Sequence, residues 1–290
     1  MIIHNDESPE SFFSRVEPLL LEREAENNLP LGVLERYVSG REAGSCYTLR
    51  ITEGGKTVYM ALRTPPHLWI LPTVSGDSAS YIKAAARYLY NHEYEVPGVI
   101  GDQSSTAVFV KEWKQLTSAI PRVHVQQGVH RLDELNDIPQ SSGELQAADK
   151  SHQSMVAEWM TQYGKETEES LVVERAPELA ESLIHDQRLF LWLVDGIPVS
   201  MAGRARTTKN GATINAVFTP DSFKKKGYAT QAVWHLTQDL LQQGYSFCSL
   251  YTDLANPTSN SIYKKIGYNK ISDSIVYHFH KSQEIKCYIL

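Results

Sequence analysis

Cysteine is scarce in this chain: Cys46, Cys248 and Cys287 are three among 290 residues, far apart and odd in number. That excludes a disulfide framework, and two of them sit in strand-like runs, which points to packed, reduced thiols. No CxxC or HExxH spacing occurs and the ten histidines are scattered, so no metal site is expected. No apolar run approaches the length of a membrane span. The N-terminal stretch MIIHNDESPESFF carries acids where a secretion signal needs cations, so the expected setting is cytoplasmic. Positive charge is not in excess either. With 28 Lys and Arg against 34 Asp and Glu, the net charge of −6 gives no global field to draw in nucleic acid or an anionic membrane. What remains is an ordinary globular composition, 42% hydrophobic and 21% charged, at a length that favours two domains.

Hydrophobic periodicity gives two passages with a similar order. In the first, alternating runs at Cys46–Thr52 and Thr57–Arg63 flank Glu53-Gly54-Gly55, a hairpin signal. A strand-like run His67–Leu71, a helix over Ser78–Tyr90, a strand Val96–Ile100 and a helix over Ser104–Leu116 follow. In the second, Leu189–Val194 and Pro198–Arg206 flank Asp195-Gly196. Then come a strand Thr213–Thr219, a helix Tyr228–Gln243, a strand Phe247–Thr252, a helix Asn256–Ile266 and a strand Ser274–Phe279. In the long helix, Ala229, Ala232, Val233, Leu236 and Leu240 line one face, with Gly244 as the stop. The turn-rich stretch Asn136–Gly143 suggests a boundary. The expected organisation is a first α/β domain over 1–125, a connecting strand or linker over 126–142, and a second domain over 143–290.

The chemistry concentrates between Thr213 and Tyr268. A strand ending in Val217-Phe218-Thr219 runs through Lys224-Lys225-Lys226-Gly227-Tyr228-Ala229-Thr230 into a helix. Three cations stand where a helix N-terminus presents unpaired N–H groups and the positive end of its dipole. Gly227 and Ala229 have little or no side chain, so a phosphate can approach the backbone closely. This is an anion cradle suited to a pyrophosphate. It is not a P-loop, because GxxxxGK[ST] is absent. Read alone, the lysine run is equally compatible with a solvated turn.

The next motif decides between these readings. Asn256-Pro257-Thr258-Ser259-Asn260-Ser261-Ile262-Tyr263-Lys264-Lys265-Ile266-Gly267-Tyr268 follows a strand directly. Here the chain resembles the GNAT superfamily of N-acetyltransferases. The family pattern [QR]-x-x-G-x-[GA] is met at Lys224, Gly227 and Ala229, with Lys in place of Arg or Gln. The pattern N-x-x-[AS]-x-x-[LI]-Y-x-K-x-G-[FY] is met at Asn256, Ser259, Ile262, Tyr263, Lys265, Gly267 and Tyr268. The two occur in the right order with a helix and a strand between them.

The resemblance covers roughly residues 143–280. It implies acetyl-CoA as cosubstrate and an α/β (α+β) architecture of two GNAT-like domains, each a mixed, mostly antiparallel twisted sheet flanked by helices. It places the CoA pyrophosphate on Lys224–Thr230, and the pantetheine arm along the backbone of Val217, Phe218 and Thr219 as an added strand. Asn256 and Ser259 would touch that arm from the other side. Tyr263 falls where the family places the proton donor to the departing thiolate. Lys224 lacks the Arg fork, so phosphate contact there is that of a point charge.

The family often takes its general base from a glutamate on the central strand. Thr213–Thr219 offers Asn215 and no carboxylate. Glu166, Glu168, Glu169 and Asp253 are alternatives, none singled out. The acid-rich stretch Tyr163–Asp186 would suit a cationic amine, a small molecule or a peptide side chain, or simply form a solvated helix face. In the first passage the corresponding loop Pro72–Asp77 has no cation and gains an acid, and Gly101–Ser105 stands where the Asn–Ser–Tyr motif would be. That half is expected to be a degenerate GNAT-like domain, or an unrelated accessory one, without catalytic chemistry. A non-catalytic acyl-CoA sensor and an enzyme using another acyl donor are the competing readings.

Overall fold

The computed structural model describes residues 1–280; Cys287 and the rest of the last ten residues lie outside the described residues. By the density of their internal contacts, the residues divide into two units. The first holds Met1–Val129, Asp253–Ala255 and the described residues from Lys270; the second holds His130–Thr252 and Asn256–Asn269.

In the first unit, β1 (Ile2–His4) is followed by α1 (Pro9–Leu21) and α2 (Asn28–Val38). Next come β2 (Tyr47–Glu53), β3 (Lys56–Arg63), β4 (Trp69–Ile70), α3 (Ala79–Asn91), β5 (Gly98–Asp102) and α4 (Gln103–Leu116). The strand β6 (Ile120–Leu132) begins in this unit and ends in the second. The strands lie in the order β1-β2-β3-β4-β5, antiparallel except for β4 beside β5. Two cores form. One packs Leu49, Ile51 and Tyr59 against Ile82, Leu89 and Phe109 of α3 and α4. The other packs Met60, Leu62 and Ile70 against Phe12, Val16 and Leu34 of α1 and α2. Alternation along β3 sends Tyr59 and Ala61 to one core and Met60 and Leu62 to the other, the period of a strand covered on both faces.

The second unit contains β7 (Glu144–Ala147), α5 (Gln153–Glu166), α6 (Ser170–Glu174), α7 (Ala176–His185), β8 (Leu189–Val194), β9 (Ile197–Thr207) and β10 (Gly211–Phe218). It continues with α8 (Tyr228–Gln242), β11 (Phe247–Asp253) and α9 (Pro257–Ile266). The strand order is β7-β8-β9-β10-β11, with β10 and β11 parallel and the other pairs antiparallel. On β8, Leu189, Leu191 and Leu193 face the core under α5 and α7, while Trp192 faces the core under α8 and α9. Ala232, Val233, Leu236 and Leu240 of α8 fill that second core, the helical stripe read from the sequence.

The last described strand, β12 (Asn269–His280), pairs antiparallel with β5, from Ser274 opposite Asp102 to His278 opposite Gly98. From Lys270 onward it therefore groups with the first unit, whereas the sequence assigns it to the second. A strand's partner is set by register and edge availability, which hydropathy alone does not encode. The expected linker is not slack either. Residues 136–140 lie along α8, where Trp234 Nε1 donates to the Asn136 carbonyl (2.9 Å) and Gln231 Nε2 to that of Pro139 (2.8 Å).

Candidate functional site

The site begins with an interruption in β10. This strand pairs with β11 from Gly211 opposite Phe247 to Ile214 opposite Leu250. On its other side the register with β9 shifts between Asn215 and Phe218, and Ala216 adopts φ +48°. An alanine in the left-handed region costs about 1–2 kcal/mol, a local strain that the flanking pairing holds in place. The bulge inverts the alternation: Ala212 and Ile214 face the core under α8, whereas Ala216 and Phe218 face the core under α5 and α7. The fully buried Ser200 fixes the strand end, its Oγ donating to the Phe218 carbonyl (3.0 Å) and lying 2.8 Å from Thr219 Oγ1.

Beyond Thr219 the chain makes one short turn, Asp221–Phe223, and enters the lysine run. Lys225 and Gly227 both have positive φ, +63° and +83°. Gly227 is the N-cap of α8 and brings no side chain to cap it. The first-turn N–H groups of Tyr228, Ala229 and Thr230 thus have no intrahelical acceptor. A Cβ built on Gly227 would meet nothing within 4 Å, so the space above the cap is open. The three lysines differ in their surroundings. Lys224 Nζ lies 2.6 Å from Glu166 Oε1 and 2.8 Å from Asp221 Oδ1, and hydrogen bonding to Asp221 and then Glu166 raises its pKa. Lys226 Nζ lies 5.7 Å from the centre of the Phe223 ring.

The opposite wall is α9. Asn256 caps it, its side chain accepting from the Ser259 N–H at 3.1 Å, and Pro257 occupies the first turn, where its missing N–H costs nothing. Tyr263, 8% exposed, is held edge-on against Tyr268 at a centroid distance of 6.1 Å. Tyr268 is itself anchored by its hydroxyl, 2.8 Å from Thr237 Oγ1. Burial pushes the Tyr263 hydroxyl well above its ordinary pKa, and the nearby Tyr163 adds to the shift. Tyr163 is likewise pushed up to about 12, by burial and then by the charge of Glu169. Both phenols are neutral at physiological pH.

These parts enclose one cavity of about 540 Å³. Of the residues singled out from sequence, Val217, Phe218, Thr219, Lys224, Lys225, Gly227, Tyr228, Ala229, Thr230, Asn256, Ser259 and Tyr263 line it. Lys226 does not. Phe218 is only 3% exposed with its ring in the core, so its contribution to the wall is largely backbone. The cavity also takes in Glu166, Phe223, Thr258 and Ile262, which the sequence motifs do not mark as ligand contacts. Glu168, Glu169 and Asp253 are not among its lining residues. A cleft at the C-terminal ends of two parallel strands, beside an open helix N-terminus, is where α/β folds place anionic ligands. Among the described residues no group of three or more metal-ligating side chains is found, and no helix is long and apolar enough to cross a membrane.

Residues 191–277 match the sequence profile of the family described as FR47-like protein. No curated protein sequence gives a significant match. Among solved structures, an acetyltransferase of the GNAT family from Colwellia psychrerythraea aligns with a TM-score of 0.60 at 13% identity, over 97% of this chain and all of its own. A GCN5-related N-acetyltransferase from Sphaerobacter thermophilus aligns at 0.58 and 12% identity, over 95% of this chain and 94% of its own. A tandem GNAT protein from the clavulanic acid biosynthesis pathway aligns at 0.59 and 10% identity, over 96% and 98%. At such identities the likeness is one of fold.

Proposed function

The chain carries the GNAT fold, with an FR47-like segment over residues 191–277, and from that premise we propose that it is an N-acetyltransferase moving acetyl from acetyl-CoA to a primary amine. The observation that carries this reading is the single cavity joining three features: the bulged end of β10, the uncapped start of α8, and Tyr263. Each suits one part of an acyl-CoA. The pyrophosphate fits the α8 N-terminus with Lys225 beside it; the amide-bearing pantetheine arm fits the backbone of Val217 to Thr219; the thioester lies towards Tyr263.

In the reaction the neutral amine attacks the thioester carbonyl carbon, the C–S bond breaks, and CoA leaves as thiolate while the amine proton passes to solvent or a base. A thiolate with a conjugate-acid pKa near about 8.5 is a weaker base than a phenoxide whose pKa starts at about 10. With the Tyr263 pKa raised further, the phenol serves by donating a hydrogen bond to the developing thiolate rather than by surrendering its proton fully.

The test is CoA-thiol release from acetyl-CoA with a panel of primary amines, cationic ones included. Saturable release with at least one amine supports the enzyme. Binding of acetyl-CoA without turnover by any amine favours an acyl-CoA sensor. That second reading has one observation behind it: the only carboxylate among the described residues lining the cavity, Glu166, is ion-paired to Lys224.

The first unit is read as a GNAT-like domain without a cofactor site of its own. Its elements β2-β3-β4-α3-β5-α4 follow the same order as β8-β9-β10-α8-β11-α9. Its parallel strands do not part: the Leu71 N–H donates to the Ile100 carbonyl at 2.8 Å, and a Cβ on Gly101 would come within 2.7 Å of the Leu71 carbonyl oxygen. Its helix starts are met by its own acids. Asp77 accepts from the Ala79 N–H at 2.9 Å, and Asp102 from Ser104 and Ser105 at 2.9 and 3.0 Å. A pyrophosphate there would meet carboxylates in place of free N–H groups. Calorimetric titration with acetyl-CoA is therefore expected to give one site per chain; two sites would show that the first unit binds as well.

A further inference from the structure

The first cation of the proposed cofactor loop is already occupied, and by acids from two places. Asp221 lies three residues before Lys224, is 90% exposed, and travels with the loop. Glu166 comes from a different element, 58 residues earlier, as the last residue of α5. The backbone turns away immediately after it: Thr167 caps the helix and Glu168 takes φ +56° before α6 begins. Glu166 therefore stands at a helix end, its carboxylate lining the cavity and closing on Lys224 at 2.6 Å. One ammonium between two carboxylates leaves Lys224 itself with no surplus positive charge to offer a pyrophosphate seated on the α8 N-terminus. Two carboxylates sharing one ammonium repel each other.

We propose that Glu166 sets cofactor affinity as an internal competitor: in the free protein its carboxylate takes the place on Lys224 that the cofactor's pyrophosphate takes on binding. The inference rests on the acyl-CoA reading of the cavity. Entry of the cofactor breaks the Glu166–Lys224 pair, freeing the end of α5 from the loop. Exit restores it, which favours release of the equally anionic CoA product.

The experiment is a calorimetric titration of the full chain with CoA, comparing the wild type, Glu166→Gln and Glu168→Gln at fixed low salt, with thermal melts to show that each variant is folded. Glu168→Gln removes the same charge two residues away, at a side chain outside the cavity wall. Glu166→Gln is expected to tighten CoA binding about two- to fivefold, the size a half-exposed ion pair supports, with Glu168→Gln close to wild type. Unchanged or weaker binding by Glu166→Gln, or equal tightening by Glu168→Gln, overturns the inference while leaving the cofactor site standing. Absence of CoA binding in all three proteins overturns the cofactor reading itself.

Discussion

Tyr263→Phe is expected to lower kcat about 10²–10³-fold with little change in the Kd for acetyl-CoA, the usual cost of removing one donor aimed at developing negative charge. The change deletes a single oxygen from a ring packed against Tyr268 in the core, so the fold has little to lose. Because burial raises the Tyr263 pKa, the hydroxyl keeps its proton above the ordinary tyrosine range. Its ionisation therefore sets no limb of the rate profile between about pH 6 and 9, well below the reference tyrosine value of about 10. The variant's pH–rate profile should keep the wild-type shape and drop in height. Steady-state rates across that range, with a binding titration beside them, check both statements. Turnover at the wild-type rate would remove Tyr263 from the chemistry.

Gly227→Glu is expected to abolish measurable acetyl-CoA binding, a loss of about 100-fold or more, since like-charge juxtaposition in a binding site costs several kcal/mol. The substitution does two things at once. It forces a residue with a Cβ into φ +83°, at about 1–2 kcal/mol of stability, and it places a carboxylate at the uncapped start of α8. Gly227→Ala separates them. Alanine carries the same backbone strain, and its Cβ would meet no protein atom within 4 Å. If the open space above the cap is where phosphate sits, Gly227→Ala weakens binding modestly and Gly227→Glu eliminates it. Titration of both variants, with melts to confirm folding, reads the difference.

Much of the fold was legible because its signals are local. The Gly54-Gly55 and Asp195-Gly196 turns connect the hairpins expected of them, and the apolar stripe of α8 is the one read from its 3.6-residue period. The Lys224–Thr230 loop and Tyr263 were singled out through the resemblance carried by Asn256–Tyr268, and the structure brings most of that loop and Tyr263 to one cavity wall. Three features were not legible. The β10 bulge rests on Ala216 at positive φ, and alanine gives no sequence warning of that geometry. The partner of β12 depends on which strand edge is available, a tertiary fact. Glu166 looked like one acid among many in Tyr163–Asp186, and only the end of α5 brings it, and not Glu168 or Glu169, to the cavity wall. The same stretch supports a cationic acceptor less broadly than its composition suggests: Asp186, for one, is engaged by Arg188 at 2.9 Å.

If the space between the end of β10, the start of α8 and Tyr263 is an acyl-CoA site, the ligand itself must be found there. A crystal structure of the full chain with acetyl-CoA tests it most directly. The pyrophosphate is expected on the N–H groups of Gly227 to Thr230, the pantetheine arm beside Val217 to Thr219, and the thioester sulfur within hydrogen-bonding reach of the Tyr263 hydroxyl. Acetyl-CoA ordered in any other part of the molecule, with this cavity left empty, would contradict it.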